Sequence, residues 1–269
     1  MLVSHETPIS FLDQSRSYND FDYALVHLFE THPEYYAFFK SSLSMGREVL
    51  LDNSIFELKE AFNPEKYANY VSELNPTYFI VPDVLEDSAA TIESYEKFKA
   101  NYSDGLFGLW IGAVQGKTYQ DIVECYRYMS QNADYIAISF DFSWYQQIGY
   151  SQSNNPHLSK LEKMCTGRQR LIKMLQEDGV WNYKKPHHLL GCSLAKEFAA
   201  YKYVPSIRSC DTSNPVVAGI LGDRYVKGLG LNYKSSILLA DLIDYEVTKD
   251  QAQDITYNAA EFKNICNGL

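Results

Sequence analysis

The chain has 269 residues, of which 46% are hydrophobic, so it can bury a sizeable core and is not expected to be disordered. The formal net charge of −10 argues against a nucleic-acid partner, because phosphate binding depends on Lys and Arg, although a local basic patch would still allow one. No run reaches the ~18 apolar residues that cross a bilayer, so no membrane contact is expected. The five scattered cysteines form no CxxC pair and indicate reduced thiols in a cytoplasmic protein.

Short apolar runs that are typical of buried strands alternate along the chain with longer segments of helical periodicity. The predicted strands are residues 21–29, 47–52, 77–83, 106–116, 134–140, 187–193 and 205–211, with an eighth near 226–229. The predicted helices are residues 63–74, 86–102, 118–131, 159–179, 195–203 and 250–266. In the first of these helices, Asn63 is a candidate cap and Pro64 stands at the first helical position.

This alternation predicts βαβ units and a parallel sheet. The number of strands fits an α/β protein with a single (β/α)8 TIM-type barrel, which forms one domain over residues 1–269 with a C-terminal helix. A doubly wound open sheet is the alternative. The chain lacks both the GxGxxG and the GxxxxGK[ST] motif, which removes the commonest reasons to prefer that alternative.

Polar or small residues stand at the ends of most predicted strands. They are Asp52, Asp83, Gln115, Ser139, Gly191 and Asp211. Because the C-terminal ends of barrel strands share the face that carries the active site, we expect these residues to converge there. Capping of the following helix is the alternative for any one Asp or Ser taken alone.

Two close carboxylates can cleave a glycosidic bond without a metal. One attacks or stabilises the sugar carbon, and the other moves a proton on the leaving group. A third carboxylate and an amide suit a purine-like base, whose ring N–H and exocyclic amine donate to carboxylate oxygens. Metal binding is the rival use of clustered Asp, but the six histidines supply no HExxH or comparable pair. We therefore expect neither a metal nor a cofactor.

Four segments resemble motifs of the tRNA-guanine transglycosylase superfamily, and they occur in the family's order over about residues 47–222. LLDNSIFE resembles the DSGGF segment, and IGAVQGKT resembles GIVQGG. KPHHLLGCS resembles KPRYLMGVG, and IRSCDTSNP stands where the family has an FDCVLPTR-like strand end. The resemblance implies a (β/α)8 barrel that exchanges guanine for a 7-deazaguanine base.

The resemblance also implies a role for each matched residue. Asp211 matches the nucleophile that forms a covalent sugar–enzyme intermediate, and Asp52 matches the acid/base carboxylate. Contact with the bound base is implied for five residues, namely Asp83, Gln115, Phe56, Gly191 and Ser139. Among these, Phe56 matches the stacking aromatic, and Ser139 stands where the family has a glycine-rich strand end.

The chain departs from the tRNA enzymes in lacking their CxCxxC…His zinc site after the barrel, and Asn53 and Ile55 replace small residues of DSGGF. It is more similar to the shorter, zinc-free DNA-guanine transglycosylases of phages and bacterial genomic islands, which insert 7-deazaguanine derivatives into DNA. The implied partners are DNA and a free 7-deazaguanine base, in a bacterial or phage-infected cell.

Basic residues that could contact DNA phosphates are scattered along the chain. The candidates are Arg168, Arg170, Lys184, Lys185 and Lys234. The densest basic run, TGRQRLIK at residues 166–173, lies on a predicted helix, where a solvated surface is the alternative interpretation.

Three other functions stay open at this point. The first is a queuine-type tRNA-guanine transglycosylase that lacks zinc. The second is a non-catalytic nucleic-acid-binding or accessory subunit on the same barrel, which would require a protein partner. The third is a sugar-processing hydrolase, in which water takes the place of the incoming base.

Overall fold

The computed structural model describes residues 1–268, in which eight β-strands alternate with helices. The strands are β1 (Leu2–Ser4), β2 (Asp22–Leu25), β3 (Val49–Asp52), β4 (Tyr78–Ile80), β5 (Leu109–Val114), β6 (Tyr135–Ser139), β7 (His187–Leu190) and β8 (Ile207–Asp211). They form one sheet in the order β1-β8-β7-β6-β5-β4-β3-β2, and the assigned registers are parallel. The predicted α/β fold of the (β/α)8 TIM type is confirmed.

Helices connect the strands. They are α1 (Leu12–Ser15), α2 (Pro33–Ser44), α3 (Ile55–Leu58), α4 (Pro64–Leu74), α5 (Ser88–Tyr102), α6 (Tyr119–Asn132), α7 (Tyr145–Ile148), α8 (Pro156–Glu177), α9 (Asn214–Ile220) and α10 (Lys249–Asn267). Short 3-10 segments cover Ile9–Phe11, Val26–Phe29, Ala195–Tyr201 and Leu239–Leu242. Within residues 1–268, no helix is both long enough and apolar enough to cross a bilayer.

Helix α4 shows how the sequence specifies an element. The Asn63 side chain accepts a backbone N–H of the first turn, and Pro64 occupies the first helical position, where its missing N–H costs nothing. Tyr67 and Val71 share one face at a spacing of four residues, and both are buried. The helix predicted over residues 63–74 is therefore confirmed.

The eighth strand predicted near residues 226–229 is wrong. There the chain forms a turn, in which Val226 makes an isolated antiparallel bridge with Gly230, whose φ is +73°. The remaining strand is β1, which pairs in parallel with β8. Three residues are too few to display a period of two, so the sequence pattern did not reveal β1.

In two further segments the structure differs from the sequence analysis. The strand predicted over residues 21–29 ends at Leu25 and continues as a 3-10 turn. Helix α2 occupies a segment for which no element was predicted, and its aromatic residues Tyr35, Phe38 and Phe39 are buried. Aromatic residues are enriched in strands, so this run did not indicate a helix.

The described chain divides into two compact units. The first unit contains residues 1–20, 140–183 and 189 onward, and the second contains residues 21–139 and 184–188. A core cluster of the first unit consists of Phe11, Val216, Val217, Ile220, Leu239 and Ile255. In the second unit every residue of β3 is buried, as expected for a parallel strand between helices. The single domain over residues 1–269 stays a prediction, and its last residue, Leu269, lies outside the described residues.

Candidate functional site

Asp52 is the last residue of β3 in the second unit, and two donors orient its buried carboxylate. The Tyr23 hydroxyl on β2 donates to Oδ2 at 2.7 Å. The Ser54 N–H donates to Oδ1 at 2.5 Å, and Ser54 has a left-handed φ of +61°. An Asp that accepts the N–H two residues later forms an Asx-turn, so this carboxylate also shapes its own loop.

Asp83 and Gln115 follow β4 and β5, and their side chains are in direct contact. Gln115 Nε2 donates to Asp83 Oδ2 at 2.7 Å, and Asn53 Nδ2 donates to Asp83 Oδ1 at 2.8 Å. Burial raises the pKa of the Asp83 carboxyl above its ordinary value, and the two amide hydrogen bonds oppose that rise. The structure therefore brings together two of the residues that the sequence places at neighbouring strand ends.

The sequence pattern assigned no role to three side chains that lie at this site in the second unit. Tyr23 donates to Asp52, and Asn53 bonds to Asp83. His188 on β7 stacks on Tyr23, with 6.1 Å between ring centroids and 15° between ring planes. All four residues of β2 are buried, so no alternation of polar and apolar residues marked the side of the sheet on which Tyr23 lies. Asn53, in contrast, could be recognised as the polar neighbour of Asp52.

Phe56 and Ser139 lie close in sequence to the ends of β3 and β6. Phe56 belongs to α3 and is half-buried, and Lys59 Nζ lies 4.5 Å from the centroid of its ring. An ammonium over an aromatic face is attracted by the ring quadrupole. Ser139 is the last residue of β6 and is also half-buried. Ser139 therefore lies at the strand end where the sequence placed it, whereas Phe56 lies on the short helix that follows β3.

Asp211 is the last residue of β8 in the first unit, and its carboxylate is buried. The Gly191 N–H donates to Asp211 Oδ1 at 3.2 Å. Ser4 on β1 is the register partner of Asp211, and the Ser4 carbonyl accepts the Thr212 N–H at 3.0 Å. The Thr212 carbonyl accepts a hydrogen bond from His5 Nδ1 at 2.9 Å. The backbone of Thr212, the residue that follows Asp211, is therefore held at both its N–H and its carbonyl.

His5 is neutral at pH 7. Burial lowers its pKa to about 4, although the Thr212 carbonyl and the carboxylates of Asp211 and Asp20 raise it. Because a carbonyl only accepts, Nδ1 carries the proton of the neutral ring. His5 thus supports the residue after Asp211 without adding a charge to this part of the unit.

Buried side chains hold the turn that follows β7. Gly191 has φ +64°, and a Cβ at this position would overlap the Phe140 ring, so only glycine fits. Arg168 is fully buried and donates to the carbonyls of Leu190 at 2.9 Å and Gly191 at 3.0 Å. Its Nε also pairs with Glu197 at 2.5 Å. The prediction of Arg168 as a phosphate contact is therefore wrong, since this guanidinium lies in the core.

The other four candidate phosphate contacts differ in exposure. Arg170 and Lys184 are exposed, although one Arg170 nitrogen donates to a backbone carbonyl at 3.0 Å. Lys185 is half-buried and donates to a carbonyl of its own unit. Lys234 Nζ donates to the Cys192 carbonyl at 2.7 Å, and burial lowers the pKa of Lys234 below its ordinary value. Among the four, Arg170 and Lys184 remain the accessible candidates.

No protein-family model matches the chain, and a search of curated proteins finds no match. Within residues 1–268, no group of three or more His, Cys, Asp or Glu side chains is arranged to hold a metal ion. The candidate site residues are instead carboxylates, amides and a phenol hydroxyl. Such groups can accept base N–H groups, transfer protons and attack an electrophilic carbon.

Proposed function

We propose that this chain is a DNA-guanine transglycosylase, which exchanges guanine in DNA for a 7-deazaguanine derivative. The observation that carries the proposal is the buried carboxylate of Asp211 at the end of β8, oriented by the Gly191 N–H. A carboxylate at the C-terminal end of a barrel strand, held by a backbone donor, is suited to nucleophilic attack. The segments that resemble the transglycosylases assign the same role to Asp211.

In the first half of the proposed reaction, a carboxylate oxygen of Asp211 attacks C1′ of the deoxyribose. The C1′–N9 bond breaks, and its electron pair leaves with guanine, which takes a proton from Asp52. The products are an ester between Asp211 and the sugar and a free guanine. A base in duplex DNA must leave the stack before a side chain can reach C1′, so flipping of the nucleotide precedes this step.

In the second half, N9 of the incoming 7-deazaguanine attacks C1′, and Asp211 leaves as a carboxylate. The Asp52 carboxylate takes the N9 proton and so returns to the protonated form in which it began the reaction. The complete exchange therefore consumes no proton and no electron. The Tyr23 hydroxyl and the Ser54 N–H hold the Asp52 carboxylate in one orientation. That orientation supports the assignment, because proton transfer requires hydrogen-bond geometry with the base.

Base recognition is proposed for Asp83 and Gln115. The ring N–H and exocyclic amine of guanine can donate to Asp83, and the Gln115 amide can both donate and accept. Each Asp83 oxygen accepts one amide hydrogen bond, from Asn53 or Gln115, and a carboxylate can accept about four hydrogen bonds in all. We assign base stacking to Phe56, and base-pocket contacts to Gly191 and Ser139.

The proposal is tested by incorporation of labelled guanine into DNA and, separately, into tRNA. We expect incorporation into DNA, and a loss of at least about 10³-fold for Asp211→Asn with an unchanged melting temperature. The exposed Asp244 provides the control, because Asp244→Asn should keep the wild-type rate.

Each other outcome identifies an alternative. Incorporation into tRNA alone would indicate a queuine-type enzyme, and release of free guanine without an acceptor base would indicate a hydrolase. The absence of all three reactions, exchange into DNA, exchange into tRNA and release of guanine, would indicate an accessory subunit. Wild-type exchange by Asp211→Asn would end the assignment of the nucleophile.

A further inference from the structure

Two cationic side chains hold three successive backbone carbonyls in the first unit. The carbonyls belong to Leu190, Gly191 and Cys192, where β7 ends. Arg168 donates to the first two at 2.9 and 3.0 Å, and Lys234 Nζ donates to the third at 2.7 Å. Hydrogen bonds from charged donors are shorter and stronger than those from neutral donors, so this segment is held more rigidly than a turn with neutral donors alone.

Phe140 supports the same segment. Its N–H donates to the Leu190 carbonyl at 3.0 Å, which therefore accepts two hydrogen bonds. Its ring lies against Gly191, where it leaves no space for a Cβ. Lys234 Nζ lies 4.2 Å from the centroid of this ring, so the ammonium has an aromatic face as well as a carbonyl acceptor.

The segment is connected to Asp211 through one peptide group. The peptide bond between Leu190 and Gly191 carries the Leu190 carbonyl on one side and the Gly191 N–H on the other. Because a peptide group is planar, fixing its carbonyl also fixes the direction of its N–H. That N–H donates to Asp211 Oδ1 at 3.2 Å. The bond from Arg168 thus acts on Asp211 through a rigid plane, and Lys234 fixes the backbone that follows.

We propose that Arg168 and Lys234 are positioning residues for Asp211. They hold the Leu190–Cys192 segment so that the Gly191 N–H points at the carboxylate oxygen, which sets the direction from which Asp211 approaches C1′. This inference rests on the proposed role of Asp211 as the nucleophile. It replaces the interpretation of Lys234 as a phosphate contact, because the Lys234 ammonium binds the protein's own backbone.

The kinetic test compares Lys234→Met with Lys234→Arg in the base-exchange assay. The buried Arg168 is left unchanged, because its loss would endanger folding. We expect Lys234→Met to lower kcat by about 10- to 100-fold with little change in KM, since a misdirected nucleophile slows the chemical step. Lys234→Arg restores a cationic donor and should recover most of kcat. Lys227→Met, an exposed residue of the same loop, should stay within about twofold of the wild type.

A second readout does not depend on activity. Labelling with carbonyl-¹³C leucine and ¹⁵N glycine selects the three Leu–Gly peptides of the chain, which end at Gly191, Gly222 and Gly230. With Lys234 in place, the Gly191 amide signal should shift on Asp211→Asn, because this N–H donates to the Asp211 carboxylate. In Lys234→Met we expect that shift to shrink while the Gly222 signal, which reports on an exposed turn, stays unchanged.

The two readouts separate failure of this inference from failure of the proposed function. An unchanged Gly191 amide in Lys234→Met, or an unchanged kcat, overturns the positioning role. A wild-type protein that exchanges no base contradicts the proposed function, and the Gly191 amide then still decides whether Lys234 fixes this segment.

Discussion

The candidate-site carboxylates of the two units are held in different ways. In the second unit, Asp52 and Asp83 accept hydrogen bonds from a phenol, a backbone N–H and two amides, which are all neutral donors. In the first unit, Asp211 accepts a backbone N–H whose own segment is bonded to Arg168 and Lys234. The candidate-site carboxylates of the second unit rely on neutral donors, whereas Asp211 relies on a backbone segment that is bonded to two cations.

This difference suits the two proposed roles. Neutral donors stabilise the ionised form of a carboxylate less than a cation does, so they leave it able to exchange protons. A nucleophile requires a fixed direction more than an adjustable proton affinity, and cations bonded to the supporting backbone supply that direction. We therefore expect substitutions of the cations around Asp211 to lower the free energy of unfolding more than substitutions of the neutral donors around Asp52 and Asp83.

The largest effect is expected from Arg168→Met. The change leaves the buried Glu197 without its cation and removes a donor from the carbonyls of Leu190 and Gly191. We expect a loss of about 3–5 kcal/mol in the free energy of unfolding, measured with urea. Arg170→Met on the exposed side of the same helix should cost no more than about 0.5 kcal/mol. Equal losses in both variants would break the comparison.

An intermediate effect is expected from His5, the neutral group that supports Thr212 in the first unit. The pKa of His5 is about 4, below the ordinary 6.5, because the folded protein favours the neutral ring. The stability that neutral His5 contributes is therefore fully present above pH 6.5 and is lost as the pH falls towards 4. The difference corresponds to about 3 kcal/mol of unfolding free energy. His5→Asn keeps a donor for Thr212 and should remove most of this slope, whereas the exposed His157→Asn should keep it. Parallel pH curves for wild type and His5→Asn would contradict the account.

The smallest effect is expected in the neutral network, from Tyr23→Phe. The variant loses the hydroxyl that donates to Asp52 but keeps the ring that stacks on His188. We expect a loss of about 1 kcal/mol in unfolding free energy and a lower rate of base exchange. Tyr183→Phe, at an exposed position, should change neither quantity. A loss as large as that of Arg168→Met would remove the distinction between the two regions.

Local pattern predicted two strand ends of this chain correctly. Asp52 and Asp211 were each expected as the last residue of a strand, and each is. An apolar run that stops at a carboxylate marks such an end, because a charged side chain is costly inside a helix-covered sheet. The fold class followed from the alternation of these strands with helices.

The role of Arg168 could not be read in the same way, although a signal existed. Arg168 lies seven residues after Leu161 and seven before Leu175, so it falls on the buried stripe of α8. Its charge and the basic residues around it suggested a surface instead. Its partner Glu197 lies 29 residues later, and Lys234 finds its acceptor 42 residues earlier. Tertiary contacts of this kind leave no local pattern.

The covalent role of Asp211 is tested most directly by peptide mass spectrometry of the protein quenched in acid during exchange on guanine-containing DNA. The account predicts that the peptide containing Asp211 carries the DNA through a deoxyribose ester, and that Asp211→Asn carries none. Base exchange that proceeds with the sugar attached to a different residue, or with no attachment at all, would contradict it.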